Sequence, residues 1–404
     1  MPHPLDRRTR VLFLNSAVGI GADTAMHLQV LRNLPRDRFE LHAAGQPGSP
    51  APAFDELLAV PDISLRPTYF GPSLWQQSKL QKLASARHLV PTTASLLGLV
   101  AYIRRRQIQI IHSTDRPRDA LSCVMLAALT GAKSVIHAHV NYGDWMSRGV
   151  KWAFGRADAL VGVSRYSAET FVAAGYARER VHAVLNAIEL SRWDPTIDPA
   201  VGRASLGVPA GAPFIVSIAR IFPAKGQEEL LESLALVKRQ FGDVRLAIVG
   251  ADFPEGNGET LRLKDCARKL DIEDNVIFPG QRSDVAALLA ACDVFALPSI
   301  WEPFGLVFAE AMAMKRPVVA LSNGGTPEVV EHEKCGLLSP AGDIDALAAN
   351  LLRLLRDPAL RRRFGEYGRE RVIDHFTPSR MAADVAELYA RLLASSAGTP
   401  ERVR

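Results

Sequence analysis

Short apolar runs alternate with longer amphipathic stretches along most of the chain, and this alternation predicts strands and helices in turn. The run at 10–15 (Arg-Val-Leu-Phe-Leu-Asn) reads as a buried strand, 16–22 as a glycine loop, and 22–34 as a helix that stops before Pro35. A strand at 40–44 follows, so the chain opens as a doubly wound α/β domain. From 47 to 106 the pattern loosens. Proline and glycine punctuate 47–72, and helices are predicted at 74–90, with Trp75, Lys79, Lys82 and Arg87, and at 92–103, closed by Arg104, Arg105 and Arg106. Alternation then returns, with strands at 108–112, 133–138 and 159–163 and helices at 117–129, 147–155 and 164–174.

After the segment at 181–189 the prolines and glycines of 190–212 mark a linker. A second α/β unit then begins. It has strands at 214–219 and 245–249 with a helix to residue 240 between them, and further strands at 275–278 and 293–298. A helix at 306–314 ends before Pro317. The last predicted element, a helix at about 377–394 with Met381, Val385, Leu388, Leu392 and Leu393 on its apolar side, is expected to return to the first domain.

Composition bounds what such a chain can be. Its 404 residues suffice for two domains, and hydrophobic and charged contents of 48% and 23% are those of a globular protein. No uncharged apolar run is long enough to cross a bilayer, and the N-terminus leads into a strand without a secretory h-region. Cys123, Cys266, Cys292 and Cys335 are scattered, which suits free thiols in a reducing cytoplasm. The net charge of +5 is unevenly spread: residues 1–200 carry 23 Lys/Arg against 16 Asp/Glu, and the remainder 25 against 27. A basic first half suits an anionic membrane face or a phosphorylated substrate. No nucleic-acid motif accompanies it.

Chemistry concentrates at 299–310, Ser-Ile-Trp-Glu-Pro-Phe-Gly-Leu-Val-Phe-Ala-Glu. Gly305 would let the backbone approach a ligand, and the amides of Gly305, Leu306 and Val307 would point out of a helix N-terminus, a phosphate site. Glu302 and Glu310 flank that turn. On spacing alone the two acids can equally be solvated first-turn residues, favoured by the helix dipole. Gly19 and Gly21 match the first two glycines of a dinucleotide fingerprint, but Thr24 breaks it and the following strand carries its acid at the wrong end. His137 and His139 share one side of a strand end. No acid or cysteine of matching spacing accompanies them, so no metal site is assigned.

Glu302-x7-Glu310 with Pro303-Phe304-Gly305 inside it resembles the donor-site signature of the retaining glycosyltransferases of family 4, which have the two-domain GT-B fold. The resemblance spans nearly the whole chain. It implies two Rossmann-like doubly wound domains facing a central cleft: an acceptor-side domain at 1–190, a linker at 191–212, a nucleotide-sugar domain at 213–376, and a returning helix and tail at 377–404. Gly19 and Gly21 would line the sugar and acceptor pocket, and His139, with His137 the second choice, would lie beside the reacting sugar. Arg220-x4-Lys225-Gly226 resembles the family's diphosphate clamp. The 275–278 strand with Gly280 resembles the segment that meets the nucleobase through its backbone, and Gly324-Gly325-Thr-Pro-Glu328 the glycine turn and acid after the signature helix. Phe304, Gly305, Leu306, Val307 and Glu310 would complete the donor site, with Glu302 on the sugar and Glu310 on the ribose.

Asn186-Ala-Ile-Glu189 resembles the family's crossover, with Ala187 replacing a glycine and Glu189 an aspartate. The expected activity is transfer of a hexose-type sugar from a nucleoside diphosphate to a hydroxyl of a lipid-linked, saccharide or small-molecule acceptor. Neither a metal nor a cofactor beyond the sugar nucleotide is expected. A cytoplasmic enzyme is expected, in peripheral contact with anionic membrane. Two rivals share the fold: a sugar-nucleotide 2-epimerase and a non-catalytic partner subunit. Intact Glu302, Glu310, Arg220 and Lys225 favour the transferase.

Overall fold

A computed structural model describes residues 8–72, 85–256 and 258–397. The chain divides into two compact units, one formed by the residues up to Leu185 together with those from Pro378 onward, the other by Asn186–Thr377.

The first unit is built on seven strands: β1 (Thr9–Asn15), β2 (Phe39–Gly45), β3 (Ile63–Pro67), β4 (Ile110–Thr114), β5 (Lys133–Ala138), β6 (Ala159–Gly162) and β7 (Val181–Ala183). All their pairings are parallel, in the order β3-β2-β1-β4-β5-β6-β7. The order reverses between β1 and β4, which makes a switch point where ligands of open α/β sheets bind. The central strands are apolar on both faces because helices cover both sides. Val11, Leu12, Leu14, Ile110, Ile111, Val135 and Ile136 are all buried. Ser147 and Ser164 cap the helices Arg148–Phe154 and Arg165–Ala173, accepting from the amides of Val150 and Ser167.

The helix Pro378–Ala397 belongs to this unit. Tyr389 is fully buried, and its hydroxyl lies 2.5 Å from Nδ1 of His112 on β4. Met381, Val385 and Leu388 are buried on the same helix, so it is part of the core.

Two sequence expectations change here, and a third goes largely untested. The 47–72 segment, which reads as irregular, contains the helix Pro52–Leu58 and edge strand β3; proline at the first helical turn starts that helix instead of breaking it. The helix expected at 92–103 runs from Leu89 to Arg106, because Pro91 sits in its first turn where no amide donor is needed. Most of the helix expected at 74–90 lies outside the described residues.

The second unit holds β8 (Phe214–Ile218), β9 (Arg245–Val249), β10 (Val276–Gly280), β11 (Val294–Leu297), β12 (Val318–Leu321) and β13 (Gly336–Ser339). Its parallel sheet has the order β10-β9-β8-β11-β12-β13, and the switch point lies between β8 and β11. Within 191–212, where the sequence suggests a linker, Pro199–Leu206 forms a helix capped by Asp198. It packs so closely on Val285–Ala291 that a Cβ on Gly202 would meet the Ala287 carbonyl at 2.3 Å. No helix among the described residues is long and apolar enough to cross a membrane.

Candidate functional site

In the second unit the two loops that leave the switch point are tied to each other. The Ile300 amide and the Ser299 hydroxyl both donate to the Ala224 carbonyl, at 2.9 and 3.3 Å. Gly226 turns the first loop with φ +70°, and a side chain there would drive its Cβ to 2.1 Å from the Pro298 carbonyl. On the other side, the Gly325 amide donates to the Glu302 carbonyl at 2.8 Å and the Asn323 amide group to the Ile300 carbonyl at 2.7 Å. Residues 299–305 are thereby clamped between the loop after β8 and the turn after β12.

That clamping aims the helix Leu306–Ala313. Gly305 precedes it at φ +89°, a left-handed conformation that favours glycine. The first amides of the helix, those of Leu306 and Val307, have no partner within the helix, an arrangement that suits an anion. Phe304 turns inward. Its ring is buried edge-on against Phe376, with centroids 5.5 Å apart, so this residue of the expected donor site can offer a ligand only its backbone.

Charged groups gather around the same helix end. Lys225 Nζ lies 2.6 Å from Glu302 Oε2, with both side chains largely buried. Arg220 lays its guanidinium over the Phe253 ring at 4.3 Å, and among the described residues no carboxylate pairs with it. Glu310 sits half-buried one turn into the helix. Desolvation pushes its carboxyl up to about 7, against the opposing pull of Arg192. Gly280 ends β10, and its carbonyl accepts from the Gly250 amide at 3.0 Å. In one unit, then, the chain brings together Arg220, Lys225, Glu302, the Gly305 turn and Glu310.

The remaining expected residues lie in the first unit. Gly19 is open to solvent on the loop after β1, and Gly21 precedes the helix Ala22–Asn33. His139 follows β5, and its amide donates to Asp115 at 3.3 Å. Burial holds the His139 imidazole neutral, at about 3. Beside it, burial pushes the Asp23 carboxyl up, but the forked hydrogen bonds and charge of Arg116 outweigh this and hold it at about 2. Sequence reasoning missed this Asp23–Arg116 pair. Its members are 93 positions apart, and no local spacing connects them. Ala187 is not among the left-handed positions of the described residues, in keeping with the loss of glycine there.

Two family models match the chain: one described as "Glycosyltransferase Family 4" over residues 28–192, the other as "Glycosyl transferases group 1" over 201–371. The chain belongs to glycosyltransferase family 4. Among its relatives, the D-inositol 3-phosphate glycosyltransferase of Saccharomonospora viridis is 36% identical over 55% of this chain and 53% of its own length. The GDP-mannose-dependent monoacylated alpha-(1-6)-phosphatidylinositol monomannoside mannosyltransferase of Corynebacterium glutamicum is 28% identical over 70% of this chain and 77% of its own. The match thus spans about half the length of the former and three quarters of the latter. The solved structure of Anabaena HepE in complex with UDP superposes with a TM-score of 0.77 at 23% identity, covering 95% of this chain and 100% of that one. That likeness gives the family-4 chain the GT-B fold.

Proposed function

We propose that this chain moves a hexose-type sugar from a nucleoside diphosphate to a hydroxyl acceptor with retention of anomeric configuration. One observation carries the reading. The two loops that leave the β8/β11 switch point, tied to each other through the Ala224 carbonyl, carry Arg220 and Lys225 on one side and Glu302 and the start of the helix that bears Glu310 on the other. The amides of Leu306 and Val307 would take the distal phosphate, Arg220 would fork onto its oxygens, and Lys225 would supply a compact charge. Glu310 would accept from the ribose hydroxyls. Glu302, which holds Lys225, would meet the sugar.

As the bond from the anomeric carbon to phosphate breaks, its electron pair passes to the leaving phosphate oxygen. The acceptor oxygen attacks from the same face, and its proton passes to that oxygen. Arg220, Lys225 and the two amides meet the growing negative charge, so the step needs neither a metal nor a protein nucleophile. His139 would sit beside the sugar as a neutral imidazole able to donate to a hydroxyl.

Relatives named for GDP-mannose and inositol phosphate, and a neighbour solved with UDP, support a sugar-nucleotide donor and a polar acceptor such as those of cell-envelope synthesis. The basic first half and the exposed Leu89, Val90 and Leu97 support peripheral attachment to anionic lipid. Co-sedimentation with anionic vesicles at low salt is the expected result, and no bound protein under those conditions removes that part of the reading.

Melting the protein with UDP-, GDP- and ADP-sugars tests the donor. A ligand at about 100 times its dissociation constant adds roughly 2.7 kcal/mol of stability, a readable shift. Incubating the stabilising donor with candidate acceptors, then reading the product anomer by NMR, tests the transfer. A donor epimerised without any acceptor would identify an isomerase instead.

A further inference from the structure

Histidines from three elements meet inside the first unit, where β4 and β5 lie against the helix Ala22–Asn33. The ring centroids of His27 and His112 are 4.9 Å apart, those of His27 and His137 5.8 Å, and those of His112 and His137 5.6 Å. One nitrogen from each ring can be chosen so that all three lie within 4.8 Å of one another. All three side chains are buried. Of their six ring nitrogens, five have no hydrogen-bond partner: both of His27, both of His137 and Nε2 of His112. Burial of polar atoms on this scale is uncommon in cores, where such atoms find partners.

We propose that His27, His112 and His137 bind a divalent transition-metal ion of the zinc class, tying the helix Ala22–Asn33 to β4 and β5.

Geometry and ligand chemistry agree on this. With metal–nitrogen bonds of about 2.0–2.1 Å, tetrahedral coordination sets imidazole centres roughly 5 Å apart, close to the three separations found. The donor set consists of neutral imidazoles alone. That suits zinc, copper, nickel or iron and does not suit magnesium or calcium, which demand oxygen. The surroundings select one nitrogen of His112: its Nδ1 is engaged by the Tyr389 hydroxyl at 2.5 Å, which leaves the unpartnered Nε2 as the ligand atom. Phe13 stacks flat on His112 at 4.8 Å and fixes its plane. Asp23, one turn before His27, brings negative charge to the side where Arg116 forks onto it.

His137 and His139, the pair visible in the sequence, do not serve together. Their rings stack at 4.7 Å with planes 26° apart, so their lone pairs run side by side instead of converging. An ion on His137 would instead steady the ring against which His139 is packed. It would act as a brace and take no part in the transfer.

The test uses the full chain without an affinity tag, purified with zinc present and dialysed against metal-free buffer. Elemental analysis is expected to find roughly one zinc ion per chain. Cobalt loading should give the visible bands of a tetrahedral site, and stripping with a strong chelator should lower the melting temperature by about 5–10 °C. His27→Gln and His137→Gln should each lose the ion, while His139→Gln keeps it. Wild-type protein with neither bound zinc nor cobalt bands, and with an unchanged melting temperature in chelator, overturns the proposal. So does full zinc retention in both His27→Gln and His137→Gln. If those variants fail to fold, cobalt spectroscopy on the wild type decides alone.

Discussion

Each unit ends a parallel sheet at a switch point, yet the two ends are furnished oppositely. Between β8 and β11 the second unit gathers Arg220, Lys225, Glu302 and Glu310 around the unbonded amides of Leu306 and Val307. Near the β1/β4 switch point, the first unit has His27, His112, His137 and His139 held neutral by burial. Of the two arginines there, Arg116 is taken by Asp23, and Arg118 donates to the Ser16 and Gly71 carbonyls. The same topology therefore builds one end furnished with cations and unbonded amides and another lined with neutral imidazoles. Net charge runs the other way, since the half with fewer acids than bases is the first one. What matters at a phosphate site is a cation poised at a helix N-terminus, and the overall charge of a domain does not report it.

The comparison breaks most easily at the clamp. Arg220→Ala and Lys225→Ala should each reduce turnover by about 10²–10³, the usual cost of removing one preorganised stabiliser of developing charge. Both act on one anion, so the double variant should lose less than the product of the two. Steady-state kinetics check this, and losses below tenfold in both variants would take the cations out of the transition state.

Next in size is the division between the two glutamates. Glu310→Ala should weaken nucleoside-diphosphate binding by about 1.5–3 kcal/mol, the worth of a charge-assisted hydrogen bond. Glu302→Gln should cut turnover without weakening that binding, because Glu302 is proposed to act on the sugar and a glutamine oxygen can still accept from Lys225. Calorimetry reads both, and equal losses of affinity would show that the two acids share one role.

A smaller effect separates the units themselves. Arg116→Ala leaves the largely buried Asp23 carboxylate unpaired, which should lower stability by about 1–3 kcal/mol. Nucleotide affinity should stay unchanged, since the expected clamp lies in the other unit. Paired melting and calorimetry experiments check it. A tenfold loss of nucleotide affinity with unchanged melting would place Arg116 in the donor site.

Much of this was legible in the sequence because the signals were local. A strand–glycine–helix pattern marks the 10–34 and 293–314 segments, and Glu302 and Glu310 share a spacing that a single turn and helix enforce. The helix Pro52–Leu58 and the start of Leu89–Arg106 were obscured by prolines that sit harmlessly in first helical turns. The inward turn of Phe304 was hidden for another reason: its partner, Phe376, is 72 positions away. The same holds for the histidine cluster. His137 and His139 are visible as neighbours, but His27 and His112 join them only through the order β1-β4-β5, which no spacing reveals.

The finest contrast between the two ends is in how they titrate. The buried histidines of the first unit's end stay neutral and give no proton response near neutrality, and Asp115 beside them is pushed up by burial only to about 6. Glu310, pushed up to about 7 by desolvation, gives the second unit one. Ribose hydroxyls donate to the charged carboxylate, so a bound donor lowers this pKa and binding releases a proton below neutrality. Affinity should therefore be highest above pH 7 and fall as pH drops through it. Between pH 8 and pH 6 the expected loss is about tenfold, since each pKa unit corresponds to ~1.4 kcal/mol. A nucleoside diphosphate has its own ionisation near 6, so the measurement should use an intact sugar nucleotide, whose phosphates keep their charge over this range. Glu310→Gln removes the titrating group and should give weaker but pH-independent binding. A wild-type profile that is flat from pH 8 to 6 would mean that Glu310 does not hold the ribose, and an equally steep profile in Glu310→Gln would assign the proton to another group.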